Sequence, residues 1–242
     1  MRESGRGPLV AGHQPNFLPW FGYFEKMLKC DIFVFSDDVQ YPKQSVVNRV
    51  EIPVGGAPAH LTLPVRKGAD RRIADKHYVK DAVIFDRLVK TIRINLGGLP
   101  HGRELDQIID QFAWAFWKYE TVADLNIQMI SFIASALDIN TPTLRGTELG
   151  LEEYHRNQRL IERCRKLGST AYLCGRGADG YQDEEMLASA GISLARIDYS
   201  IGRAILGDSL RYSILCGIAE HGMDSLRSQI CLLSEAGALQ KQ

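Results

Sequence analysis

No apolar run in this chain approaches the roughly 18 to 20 residues needed to span a bilayer, which argues against a helical membrane anchor. The opening residues Met1 to Gly7 also carry no signal-peptide core. An excess of either charge is missing as well. Lys and Arg total 29 and Asp and Glu total 29, so the basic surplus that drives non-specific nucleic-acid binding is absent. Cysteines are few: five, an odd number, widely scattered and with no Cys-x-x-Cys pair. That pattern argues against both a disulfide framework and a zinc site. No internal repeat and no low-complexity segment is visible. The expectation is a soluble globular protein of the reducing cytoplasm.

What is present is a chain that is 45% hydrophobic over 242 residues, enough to bury a sizeable core. Its most informative stretch is the first forty-nine residues. A short apolar strand, Pro8 to Ala11, stops abruptly at Gly12, His13 and Gln14. Pro15 and Pro19 then enforce an extended turn, because each fixes its own φ and disfavours helix in the residue before it. A helix follows over Phe21 to Leu28, then a second apolar strand, Asp31 to Ser36, which ends in Asp37, Asp38 and Gln40. In an open parallel sheet, ligands bind outside the carboxyl ends of the strands. His13, Gln14, Asp37, Asp38 and Gln40 are therefore expected to share one crevice.

Beyond this βαβ unit, β-rich runs on either side of Gly55-Gly56 predict a hairpin. Apolar spacing predicts helices over residues 80–94, Asp106 to Tyr119 and Thr121 to Ala136. The aromatic stripe Phe112, Trp114, Phe116, Trp117 and Tyr119 reads as helix core. Further on come a basic amphipathic helix (Glu153 to Leu167, capped by Gly168), a strand at Ala171 to Cys174 and a helix at Asp183 to Ala190. A strand follows at Ile192 to Tyr199, then a linker at Arg203 to Asp208 and two terminal helices. Strands alternate with helices at both ends, which predicts α/β. The fold expected is a Rossmann-like three-layer parallel-sheet core with a β-hairpin and a largely helical middle insertion. We read residues 1–242 as a single domain, with 80–137 as an insertion or lobe.

Candidate site residues follow from chemistry. His13 at a strand end suits a general base, or a ring that merely braces the turn. Asp37 and Asp38 point to different sides of the strand end, so one faces the site while the other caps the turn. Lys43, Asn48 and Arg49 suit a phosphate or carboxylate, the guanidinium fork matching either. Gly175, Arg176 and Gly177 form a glycine-rich strand-to-helix loop whose N–H groups suit an anion, though the loop matches neither a P-loop nor the dinucleotide fingerprint. Cys174 stands before that loop, as a nucleophile or an inert buried thiol. No metal-ligand set is evident.

The residues His13-Gln-Pro-Asn-Phe-Leu-Pro-Trp20, Gly22-Tyr-Phe24, Phe35-Ser-Asp-Asp-Val-Gln-Tyr41 and Asn48-Arg49 closely resemble the WbqC-like family. So do Tyr172-Leu-Cys-Gly-Arg-Gly177, Tyr181 and Leu210 to Gly222. The resemblance implies that Asn16, Trp20, Tyr23 and Tyr181 join the residues above in substrate binding. It also implies a biosynthetic transferase, as expected of genes that build surface polysaccharides and natural products. One departure stands out: the family commonly carries Trp-x-Asn-Arg where this chain has Val46-Val47-Asn48-Arg49, so an acceptor stacking contact is expected to be lost. The leading expectation is transfer of an acyl or aminoacyl group from a carrier-protein, coenzyme A or nucleotide-activated donor. The acceptor would be a small amine or hydroxyl compound, an amino sugar or an amino-acid derivative. A class I-like nucleotidyltransferase, which would require magnesium, and a non-catalytic subunit of a biosynthetic complex are the alternatives. No tightly bound cofactor is indicated. The basic helix suits an acidic acyl or peptidyl carrier protein, or simply a solvated face.

Overall fold

Strands covered on both faces read as continuous apolar runs rather than as alternations, and Leu-Val-Ala and Ile-Phe-Val-Phe are such runs. The computed structural model describes residues 7–42, 45–68, 72–175 and 182–239, with side chains through residue 232. In chain order the strands are β1 (Leu9–His13), β2 (Ile32–Phe35), β3 (Arg49–Val54), β4 (Ala57–Thr62), β5 (Thr143–Arg145), β6 (Ala171–Cys174) and β7 (Ser193–Arg196). The helices are α1 (Phe21–Leu28), α2 (Ala82–Leu96), α3 (Leu105–Lys118), α4 (Val122–Ala136) and α5 (Arg156–Lys166). They continue with α6 (Glu184–Ser189), α7 (Ser200–Leu206), α8 (Ile214–His221) and α9 (Met223–Leu239). None among the described residues is long and apolar enough to cross a membrane.

The chain divides into two compact units. The first holds the residues up to Gln14, Lys26–Val39 and Thr141–Asp198; the second holds Pro15–Glu25, Gln40–Asn140 and the chain from Tyr199 onward. The first unit is built on a five-stranded sheet of order β5-β2-β1-β6-β7, parallel at every pairing. This is the α/β class with a Rossmann-like strand order. Successive strands are laid down outward from β1 on one side, then outward from β6 on the other. The order reverses between β1 and β6, the place where such sheets bind ligands.

Side chains alternate across each strand. Val10, Val34, Tyr172 and Cys174 fall on one face and pack with Ile161 and Cys164 of α5, Leu187 of α6 and Ile192. A left-handed glycine ends α5, as its sequence predicts. Gly168 has φ of 64°, its N–H donates to the Arg165 carbonyl, and Ser169 N–H donates to the Cys164 carbonyl. That is the Schellman pattern. The Ser169 hydroxyl then lies 2.5 Å from the Pro8 carbonyl oxygen, which aims the chain into β6 beside β1.

In the second unit β3 and β4 form the expected hairpin, with Arg49 opposite Thr62 and positive φ at Gly55 and Gly56. Both turn positions need that left-handed region, which glycine enters without strain. Phe85, Phe112 and Phe116 cluster between α2 and α3. The aromatic stripe is only half core, however. Trp114 is 46% exposed and Trp117 48%: Trp114 lies on the far side of α3, and Trp117 only flanks the cluster, its ring 5.1 Å from that of Phe116.

The expected linker at Arg203 to Asp208 is a further correction, since these residues lie in α7 and the 3-10 turn that follows it. No local side chain caps α7. Its free donors are satisfied instead by the buried Glu25 carboxylate, which accepts from Ile201 N–H at 3.0 Å and Gly202 N–H at 2.8 Å. A cap supplied from 176 residues away leaves no local signal. Charge-assisted hydrogen bonds of this kind each contribute about 1.5–3 kcal/mol. Glu25→Ala should therefore lower unfolding stability by about 3 kcal/mol in urea titration and speed amide exchange at Ile201 and Gly202. Unchanged exchange at both amides would disprove the cap.

Candidate functional site

Gly12 and His13 end β1 at the reversal point, and their neighbours are charged. The Lys26 ammonium, on α1, donates to the Gly12 carbonyl at 2.9 Å and is only 4% exposed. Burial lowers its pKa to about 8, against the pull of the nearby Cys174 and Cys30 sulfurs. At neutral pH it stays a cation. His13 Nδ1 lies 3.1 Å from the Gln14 carbonyl. A carbonyl only accepts, so Nδ1 carries the proton and, in the neutral ring, Nε2 carries the lone pair. Burial, and then the Lys26 charge, lower the imidazole pKa from 6.5 to about 4. His13 is therefore neutral across the physiological range.

Asp37 and Asp38 end β2, and each meets arginine. The fully buried Asp37 carboxylate accepts from Arg145 Nε at 2.7 Å, Thr147 N–H at 3.0 Å and the Thr147 hydroxyl at 3.2 Å. It thereby holds the turn after β5. The Asp38 carboxylate lies 3.3 Å from Arg159 and 3.6 Å from Arg163, both on α5. These are ion pairs rather than hydrogen bonds, and neither Asp38 oxygen has a hydrogen-bond partner among the described residues. Arg163 also donates to the Ser36 hydroxyl at 2.9 Å. Its guanidinium runs so close over β1 that a Cβ on Gly12 would sit 2.4 Å from it. A side chain at residue 12 would have to push the guanidinium aside. Gly146 is similarly crowded, since its Cβ would meet the Asp38 carboxylate at 2.2 Å.

Cys174 is buried at the end of β6, one residue before Gly175 and close enough to Lys26 to interact with its charge. Arg176, Gly177 and Tyr181, like Lys43, lie outside the described residues. Thus His13, Gln14, Asp37, Asp38, Cys174 and Gly175 come together on the carboxyl edge of the first unit.

The other predicted residues belong to the second unit. Asn126 of α4 donates to the Pro15 carbonyl at 2.8 Å and the Val47 carbonyl at 2.7 Å, and Phe17 N–H donates to the Val46 carbonyl at 3.0 Å. These bonds hold the Pro15–Phe17 turn against the segment leading into β3. Between them lies a pocket of about 440 Å³, which Asn16, Trp20 and Arg49 all line. Trp20 packs over Gly22, whose Cβ would meet the indole at 2.3 Å, and lies 4.8 Å from the Tyr199 ring. Tyr23 and Asn48 do not line the pocket. Tyr23 is buried against Phe24, and Asn48 donates to the Leu63 carbonyl at 3.0 Å. Gln40 is exposed and bridges to Arg72.

Sequence reasoning missed Lys26 and Asn126, and it did not place Arg145, at a strand end, or Arg159 and Arg163, on the basic helix, beside Asp37 and Asp38. Lys26 and Asn126 carried a faint signal, as polar residues on helix faces that are otherwise apolar. The basic run of α5 was weighed as a carrier-protein surface or a solvated face. Two of its five basic side chains, Arg159 and Arg163, instead reach the edge of the sheet.

The depressed His13 pKa has a measurable consequence. In the unfolded chain the group titrates near 6.5, but in the fold only near 4. Between those values the unfolded state binds more protons, so His13 makes stability rise with pH. Relative to His13→Gln, the wild type should gain roughly 3 kcal/mol between pH 4 and pH 6.5 in urea titrations. Parallel pH profiles for the two proteins would contradict a buried neutral imidazole.

The WbqC-like protein family matches this chain over residues 14–203, most of its length. The uncharacterized protein Rv1507c of Mycobacterium tuberculosis (strain ATCC 25618 / H37Rv) is 26% identical over 193 residues. That match covers 78% of this chain and 82% of the relative. The matched span takes in both the polar edge of the parallel sheet, from Gln14 to Gly175, and the pocket formed by the Pro15–Phe17 turn. By that match, the chain belongs to the WbqC-like protein family.

Proposed function

We propose that the protein is a biosynthetic group-transfer enzyme, acting in polysaccharide or natural-product assembly. It moves an acyl or aminoacyl group from a phosphate-bearing donor to a small amine or hydroxyl acceptor. The observation that carries this reading is the charge balance around His13. Lys26, Arg145, Arg159 and Arg163 stand at this edge against two buried carboxylates, Asp37 held by Arg145 and Asp38 paired with Arg159 and Arg163. Cations in excess of anions favour an anionic ligand. Coenzyme A, a phosphopantetheine arm on a carrier protein, and nucleotide-activated donors all carry phosphate.

In this scheme the acceptor nitrogen or oxygen attacks the donor carbonyl carbon. Its proton passes to His13 Nε2, and the thiolate or phosphate of the donor departs. A base of low pKa suffices, because the attacking atom becomes acidic only as the new bond forms. Lys26 and Arg163 offset the charge on the donor. Asp37 and Asp38 place Arg145, Arg159 and Arg163 and take no proton themselves. Nucleotidyl transfer remains the rival reading, since the strand order suits a nucleotide equally well.

Thermal shift against coenzyme A and acyl-coenzyme A, nucleotide sugars, and nucleoside triphosphates with and without magnesium tests this directly. A ligand at a hundred times its Kd stabilises by about 2.7 kcal/mol. An acyl-coenzyme A or nucleotide-sugar response is expected, weakened about tenfold or more in Lys26→Met. A response to triphosphate only with magnesium would transfer the assignment to nucleotidyl transfer. Silence from every ligand, carrier proteins included, would leave a non-catalytic binding subunit.

A further inference from the structure

The pocket of the second unit carries a chemistry of its own, independent of the transfer scheme above. Its walls are apolar where Phe17, Pro19 and Trp20 meet Val46 and Val50. At about 440 Å³ it falls within the range of small-molecule sites. Two features call for a ligand. Asn16 is only 3% exposed, yet its side-chain oxygen has no hydrogen-bond partner among the described residues. A buried polar group left unpaired is costly, so this amide is poised for a partner that the chain does not supply. Rotating the amide by half a turn changes its shape little and offers the pocket either its oxygen or its NH2.

The second feature is charge. Arg49 and Arg211 both line the pocket, against one carboxylate, Glu51. Arg211 already holds Glu51, with Nη2 at 2.9 Å and Nε at 3.2 Å from the same oxygen. Arg49 has no carboxylate partner among the described residues; its charge is felt by the Tyr41 hydroxyl. The pocket therefore holds one unbalanced positive charge, carried on a fork suited to a planar anion. A carboxylate balances one charge, whereas a phosphate monoester carries about 1.5 to 2 at neutral pH.

We propose that this pocket binds a small amphipathic carboxylate. Arg49 takes the carboxylate, Asn16 hydrogen-bonds a polar group of the ligand, and the apolar or aromatic body lies against Trp20 and Val46. Val46 is the wall residue that sets the room available: it is 52% exposed, and a larger side chain there would reach into the pocket without disturbing the core.

The test is calorimetric titration with hexanoate, phenylacetate and indole-3-acetate, each against its own amide. At least one acid should bind, with its amide about tenfold weaker or worse and with affinity falling as salt rises. Arg49→Gln should weaken binding by a similar factor while leaving the melting midpoint of the free protein in place. Val46→Trp should abolish binding in a folded protein. Three silent acids would overturn the proposal, as would amides that bind equally well, or binding indifferent to both substitutions. None of these results depends on a donor binding in the first unit, so the two readings fail separately.

Discussion

A guanidinium taken out of water needs counter-charge and acceptors, and the first unit offers Arg163 a hydrogen bond and an ion pair, while its Nε has no hydrogen-bond partner among the described residues. The side chain is 95% covered. It finds the Ser36 hydroxyl at the end of β2 and the Asp38 carboxylate beyond it. To reach them it crosses β1 at Gly12, where a Cβ would displace it. Burial of one charge thus ties three things together: the small residue at position 12, the polar ending of β2, and the seating of α5. Removing one partner from such an arrangement costs more than the pair itself contributes, because the other charge is left stranded. This accounts for polar groups gathering where the sheet order reverses, before any ligand is considered.

The second unit solves a similar problem with a neutral group. A turn containing Pro15 and Pro19 cannot satisfy its own carbonyls, since it forms neither helix nor ladder there. Asn126 donates from one amide to the Pro15 carbonyl of the turn and to the Val47 carbonyl of the segment facing it. That clamp shapes the pocket without touching its contents. Within the turn itself the Asn16 side-chain oxygen is left without a hydrogen-bond partner among the described residues, as are the oxygens of Asn48 and Asn126 nearby, but Asn16 is the one of the three that lines the pocket.

What the sequence made legible was whatever local pattern controls. Continuous apolar runs identified β1, β2 and β6, Gly55-Gly56 the hairpin, and Gly168 the end of α5. The grouping of His13, Gln14, Asp37 and Asp38 at strand ends followed from the βαβ reading alone. What stayed hidden was long-range pairing. Glu25 caps a helix 176 positions away, Arg159 meets Asp38 at a separation of 121, and Asn126 meets Pro15 at 111. A residue's helical period says which face it occupies, not which distant carbonyl it will find. The stretch Arg203 to Asp208, expected as a linker, is helical in its first part, with the start of that helix capped by the distant Glu25.

Electrostatics sets the limit on what His13 can do. The ammonium of Lys26, which lowers the imidazole pKa, is itself lowered by burial and by the nearby Arg163 charge. Each positive charge at this edge makes the next one harder to keep. In the transfer proposed above, an anionic ligand would reverse that penalty, raising the Lys26 and His13 pKa values together and making the imidazole a stronger base while the ligand is bound. A site of this kind would be weakly basic when empty and more strongly basic when filled. Proton acceptance would then be coupled to the presence of the group that needs it.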